Sequence, residues 1–201
     1  MDIVIFIQAM WIIIPAYVAN ASAVLVGGGK PIDLGKKWRD DKRILGDGKT
    51  WQGLISGSFI GMTAGFGLSI VAKYASVHED YAFLGLTDFL GCPVMIPIIF
   101  SICFGALTGD IIESFFKRRL GKKRGEDWIP FDQLDFILGA LFFSFIVSGI
   151  LSLSGITVFN WFFENLTFWH IVSLLIITPF IHLIANLIHK KKIRKMVKKV
   201  I

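Results

Sequence analysis

The chain has 201 residues, of which 54% are hydrophobic and 18% charged, with a net charge of +6. Mean hydropathy is +0.67, whereas charged residues in a water-soluble domain run nearer a quarter. These values exclude a disordered chain, a collagen-like chain and a disulfide scaffold, and the length suits a single domain. Cys92 and Cys103 share one apolar run, and their spacing of about 16 Å along a helix is too long for a bridge.

Walking from charge to charge leaves five long neutral windows, each longer than the ~20 residues that span the bilayer core as a helix. They predict transmembrane helices at about 3–26, 51–74, 89–107, 135–153 and 169–189. None shows the period of two that a membrane barrel requires. The first window is longer than a signal peptide's core, and no basic region precedes it. The expectation is an all-α integral membrane protein forming one membrane-embedded domain over 1–201. Two long loops, 27–50 and 108–134, and a basic tail, 190–201, complete it.

Charge sets the orientation. Of the 21 Lys and Arg residues, seven lie between Lys30 and Lys49, six between Lys117 and Arg124, and seven between Lys190 and Lys199. The intervening loops at 75–88 and 154–168 carry only acidic charge. By the positive-inside rule the N-terminus lies outside and the C-terminus in the cytosol, in a multi-pass protein of the cell membrane. A tail that follows a membrane helix directly reads as an anchor attracted to anionic lipid rather than as a nucleic-acid site. On the second helix Gly53, Gly57, Gly61 and Gly65 form a smooth stripe that a neighbouring backbone can approach closely.

The first cytosolic loop ends Gly46-Asp47-Gly48-Lys49-Thr50 at the start of a helix. Glycines that expose N–H groups beside an electropositive helix end suit phosphate, while a plain turn with a helix cap is the alternative. The segment is not a Walker A loop, because Arg43 stands where that pattern has its first glycine. The second loop carries Gly109-Asp110, Ser114, Lys117-Arg118-Arg119 and Asp132-Gln133-Leu134-Asp135. Carboxylates converging at one interface repel unless a cation neutralises them, and hard oxygen ligands suit Mg²⁺. The alternative is that these acids cap helices or pair with the neighbouring cations. Asn20 and the stripe Thr178, His182, Asn186 put polar groups in the cytosolic half of the membrane, where they should face a cavity.

Together, Lys49-Thr50-Trp51-Gln52-Gly53, then Gly109-Asp110 with Ser114 and Lys117-Arg118, then Asp132-Gln133-Leu134-Asp135 resemble the ordered motifs of membrane CTP:phosphatidate cytidylyltransferases. Gln52 and Gln133 replace a glutamate and an arginine of the bacterial and eukaryotic pattern. With Gly27-Gly28-Gly29, Pro31-Ile32-Asp33 and the Thr178-Pro179 stripe, the chain is similar over nearly its whole length to the archaeal branch, the CDP-archaeol synthases. That resemblance implies transfer of CMP from CTP to the phosphate of an isoprenoid ether glycerol lipid. It implies Mg²⁺ on Asp110, Asp132 and Asp135, with Lys117 also catalytic. Gly46, Asp47, Gly48, Lys49, Thr50, Arg118 and Arg119 would hold the nucleotide, and Asn20, His182 and Asn186 the lipid head group. A transporter would put charge near the midplane or show inverted repeats; a purely structural membrane protein would tolerate Lys49→Arg.

Overall fold

In the computed structural model the described residues are 2–122, 126 and 128–181. The long helices are α1 (Ile3–Val26), α2 (Trp51–Val77), α4 (Met95–Arg119) and α5 (Phe131–Leu153), with short helices α3 (Glu79–Ala82) and α6 (Trp161–Asn165) in the connections. A further apolar helix, α7, occupies Phe168–Ile181 and reaches the last of the described residues. Among the described residues four helices are long and apolar enough to cross a membrane. Positions 182–189 of the expected fifth span, with His182 and Asn186, and the tail 190–201 lie outside the described residues.

Helix is the secondary structure that satisfies every backbone group within one segment, which hydrocarbon demands. Side-chain hydroxyls follow the same rule: Ser58, Thr63, Ser101 and Thr108 each donate to a carbonyl one turn back. The outward surface is apolar, with Val24, Leu25, Phe59, Ile70, Phe142 and Leu153 exposed. Such a surface is stable against lipid and a liability in water.

The glycine stripe of α2 packs where a smooth face allows it. A Cβ added at Gly57 would lie 2.9 Å from the Ala19 carbonyl oxygen, and at Gly61 2.7 Å from that of Pro15. Helices α4 and α5 approach just as closely, through Gly105, Gly109 and Gly139. These two contacts set α1, α2, α4 and α5 around a core that includes Ile13, Ile99, Ile102, Phe136 and Ile137.

Three boundaries differ from expectation. The third span starts at Met95 instead of residue 89, because Phe89 and Leu90 adopt positive φ in a turn and Pro93 carries no N–H for a helix interior. It then continues to Arg119 rather than ending at 107. The fourth span begins at Phe131, after Pro130, so Asp132 and Asp135 both lie within its opening turns. Most of the expected loop 108–134 is therefore helix, and residues 120–130 make the connection.

The ends of the bundle are chemically distinct. At one end Gln8 donates to the Leu84 carbonyl and contacts His170, and Trp11 donates to the Thr87 carbonyl. That end holds the acidic connections. The loop 27–50 and the basic C-terminal turn of α4 meet at the other.

Candidate active site

The loop 27–50 is short of apolar residues and is organised instead by one carboxylate. Asp33, whose side chain is fully inaccessible, accepts hydrogen bonds from the backbone N–H groups of Gly35, Leu45 and Gly46. It also accepts Arg43 Nη2 at 2.9 Å and Nε at 3.2 Å. Burial acts to raise the Asp33 carboxyl, but the guanidinium fork and these N–H donors outweigh it and hold the group well below the usual carboxylate range. Bonds to Asp33 and Asp47 in turn raise Arg43. A depressed folded-state pKa means that Asp33 supports the loop at neutral pH and ceases to as pH falls through and below the ordinary range near ~4. Limited proteolysis between residues 30 and 49 should accelerate on acidification in the wild type, and show little pH dependence in Asp33→Asn.

Helix α4 clamps this loop from beside. Arg119 pairs with Asp40, donates to the carbonyls of Lys42 and Arg43, and lies over the Phe115 ring. Arg118 Nε donates to the Leu45 carbonyl at 3.2 Å, and Trp38 packs edge-on against Phe115. Thr50 closes the loop as the N-cap of α2, its hydroxyl oxygen accepting from Gly53 N at 3.1 Å and Gly28 N at 3.3 Å.

Opposite the loop, α4 and α5 present acids. One oxygen from each of Asp110, Glu113 and Asp135 falls within 4.8 Å of the others. Glu113 Oε1 is buried without a hydrogen-bond partner, although the Lys117 ammonium lies 3.7 Å away. Asp132 stands outside this trio: Lys117 Nζ donates to its two oxygens at 2.8 and 2.7 Å, and Trp128 N donates to it as well. Lys49 reaches across from the loop to Asp110 at 2.5 Å.

These groups line a cavity of about 540 Å³. Its walls include Arg43, Gly46, Asp47, Gly48, Lys49 and Thr50 from the loop, and Asp110, Glu113, Ser114, Lys117, Arg118, Asp132 and Asp135 from α4 and α5. A smaller recess adjoins it, where Val24, Ile32, Leu54, Leu107 and Ile111 surround Lys49 and Asp110.

Most of the residues singled out in the sequence therefore converge. Some do not. Arg119 is consumed in clamping the loop and is absent from the cavity lining. Gly46 turns its N–H to Asp33, so of the glycine segment the peptide groups of Asp47 and Gly48 are the ones left for a ligand. Asn20 is half-buried on α1 but is not among the lining residues. Thr178 is buried and accepts a hydrogen bond from Tyr17, which ties α7 to α1. Glu113 and Arg43 were not anticipated.

Residues 1–199 match the CarS-like family, described as CDP-archaeol synthase. The chain is similar to the CDP-archaeol synthase of Thermococcus onnurineus, 42% identical over 178 residues, which cover 89% of this chain and 88% of that one. The corresponding protein of Methanococcoides burtonii is 42% identical over 177 residues, covering 87% and 93%. A solved structure of an intramembrane enzyme for archaeal membrane lipid biosynthesis is also similar, with a TM-score of 0.69 and 31% identity. That likeness covers 90% of this chain and 94% of the other.

Proposed function

The chain belongs to the CDP-archaeol synthase family, and we propose that it transfers CMP from CTP to the phosphate of an isoprenoid ether glycerol lipid. The observation that carries this is one cavity, at the end of a membrane bundle, that brings a carboxylate trio of α4 and α5 together with Arg43 and Lys49 of the loop and Arg118 of α4.

The acceptor's phosphate oxygen attacks the α-phosphorus of CTP. An O–P bond forms, the bond from the α-phosphorus to the α,β-bridging oxygen breaks, and pyrophosphate leaves with the electron pair. A phosphate monoester with a second pKa near ~6 is largely dianionic at neutral pH and needs no general base. Lys49 and Arg118 hold the phosphates and balance the charge that develops on pyrophosphate. Lys117 is braced by Asp132 at the same wall.

The acids fit magnesium on two grounds. They offer hard oxygen donors at mutual spacings a single ion can bridge, and the Oε1 atom of Glu113 is buried with no hydrogen-bond partner. As ionised groups, the three clustered acids Asp110, Glu113 and Asp135 concentrate negative charge at one point of the lining, which a divalent cation there would offset. Asp110, Glu113 and Asp135 would hold the ion, with Asp132 beside Glu113. When bound, the ion supplies Lewis-acid polarisation of the phosphoryl oxygens.

The basic end of the bundle faces the cytosol, with the N-terminus outside, and the chain is one domain in which α7 starts a further crossing from the outer end. Several facts support this: the two basic segments share one end, the acidic connections share the other, and α7 begins at the acidic end. The apolar recess beside Lys49 lets the acceptor's head group reach Asp110 while its tails stay in the bilayer.

The test is purified protein in detergent or liposomes with α-labelled CTP and competing ether and ester lipid phosphates. Label should enter the ether lipid preferentially, cease with chelator and return with Mg²⁺. Transfer that persists without any divalent ion removes the metal assignment; failure to use CTP removes the function.

A further inference from the structure

Arg43 is held in a way that a surface arginine is not. Its Nε and Nη2 atoms are fixed along one edge by the inaccessible Asp33 carboxylate. Nη2 also bridges to Asp47 at 2.8 Å, and Asp47 is largely exposed. The N–H groups of Nη1 have no partner among the described residues, and the side chain lines the cavity. Such an edge-on grip fixes the guanidinium plane while leaving one nitrogen to donate elsewhere. Planar, always-charged donors of this kind match phosphate oxygens in a way that lysine does not.

Position narrows the ligand. Asp33 also holds the peptide groups of Leu45 and Gly46, so the arginine and the glycine segment are oriented by one carboxylate. Gly46 lies beside Arg118, whose Nε is 3.7 Å from where its Cβ would be. Arg43 of the loop and the Arg118 side chain, reaching over from α4, thus meet the loop segment at Leu45 and Gly46, while the carboxylates that would hold the cation at the reacting phosphorus lie on α4 and α5. A triphosphate spanning the cavity, with its α-phosphorus at the acids, directs its β and γ groups to the arginines.

We propose that Arg43 binds the terminal phosphates of the nucleotide donor, and so the pyrophosphate product, with Asp33 as the positioning residue that aims it. This rests on the cytidylyltransferase function stated above and adds a residue to its donor site. Asp47 occupies the guanidinium without nucleotide and, being exposed, yields it at little cost. Neither Arg43 nor Asp33 contacts the acceptor.

The experiment uses the full chain in liposomes and measures kcat, KM for CTP, KM for the lipid phosphate, and Ki for added pyrophosphate. Arg43→Lys keeps the charge and loses the planar fork. It should raise KM for CTP and Ki for pyrophosphate together by about tenfold, with the lipid KM within about twofold. Asp33→Asn should reproduce the pattern, and the double variant should be no worse than the weaker single, since both remove one unit. A wild-type chain that takes CTP, with pyrophosphate Ki unchanged in Arg43→Lys, overturns the assignment. So does a double variant whose effects multiply. A wild-type chain that takes no CTP overturns instead the function on which the assignment rests, and if Asp33→Asn fails to fold, Arg43→Lys alone decides.

Discussion

Asp110→Asn should lower CMP transfer by at least about 100-fold, the loss that follows removal of one preorganised charged group from a phosphoryl-transfer site. The substitution is isosteric, and Asp110 is only partly buried at the rim of the cavity, so the protein should still insert and fold. Glu113→Gln should act in the same direction, because Glu113 Oε1 makes no hydrogen bond and its one ion-pair contact, with Lys117, is long at 3.7 Å. Both should raise the Mg²⁺ concentration needed for half-maximal activity. Asp132→Asn should behave differently: its oxygens hold Lys117, so activity falls while the Mg²⁺ requirement stays near that of the wild type. Initial rates over a Mg²⁺ titration separate these cases. Full activity in Asp110→Asn would end the metal assignment, and a shifted Mg²⁺ requirement in Asp132→Asn would return that residue to the ligand set.

How far these residues could be read from sequence depended on whether their neighbours are local. The spans were legible because hydrocarbon excludes charge, so gaps between charges mark helices. The same rule misplaced the end of α4. Asp110, Glu113 and Lys117 fall where charge predicts a loop, but Asp110 pairs with Lys49 of the loop 27–50, Lys117 with Asp132 of α5 and Glu113 lies beside Lys117, and the helix runs through them. Glu113 was nevertheless visible in principle, since it follows Asp110 by three residues and so shares its helical face. Arg119 was over-read for a related reason. Consecutive helical residues point about 100° apart, so Lys117, Arg118 and Arg119 cannot all enter one cavity, and Arg119 goes to Asp40. Asp33 could not be weighed from sequence, because its partners at Arg43, Leu45 and Gly46 meet it only when the loop folds back. The turn at Phe89 and Leu90 had no glycine at those positions to announce it, whereas Pro93 was a usable signal for the later helix start.

Gly109→Ala should damage both the fold and the chemistry, because Gly109 is where α4 meets α5 beside the acids. A Cβ there would sit 2.2 Å from the Asp135 carbonyl oxygen, and at Gly139 2.2 Å from that of Gly105. Both obstacles are backbone, so no side chain can turn aside; the helices must part. Overpacking of this kind costs about 1–3 kcal/mol, and here the displaced segments carry Asp110 and Asp135. Gly67→Ala is the control. Gly67 lies on α2 with nothing within 4 Å of its would-be Cβ, and alanine in an open helical position favours the helix by up to about 1 kcal/mol. Thermal unfolding in detergent should therefore place Gly109→Ala and Gly139→Ala well below the wild type, with Gly67→Ala at or above it. Below its lowered melting point, Gly109→Ala should still transfer CMP poorly, since the acids stay apart in the folded protein. If Gly109→Ala instead melts and reacts like Gly67→Ala, then α4 and α5 are not in backbone contact, and the carboxylate trio is not held together by that packing.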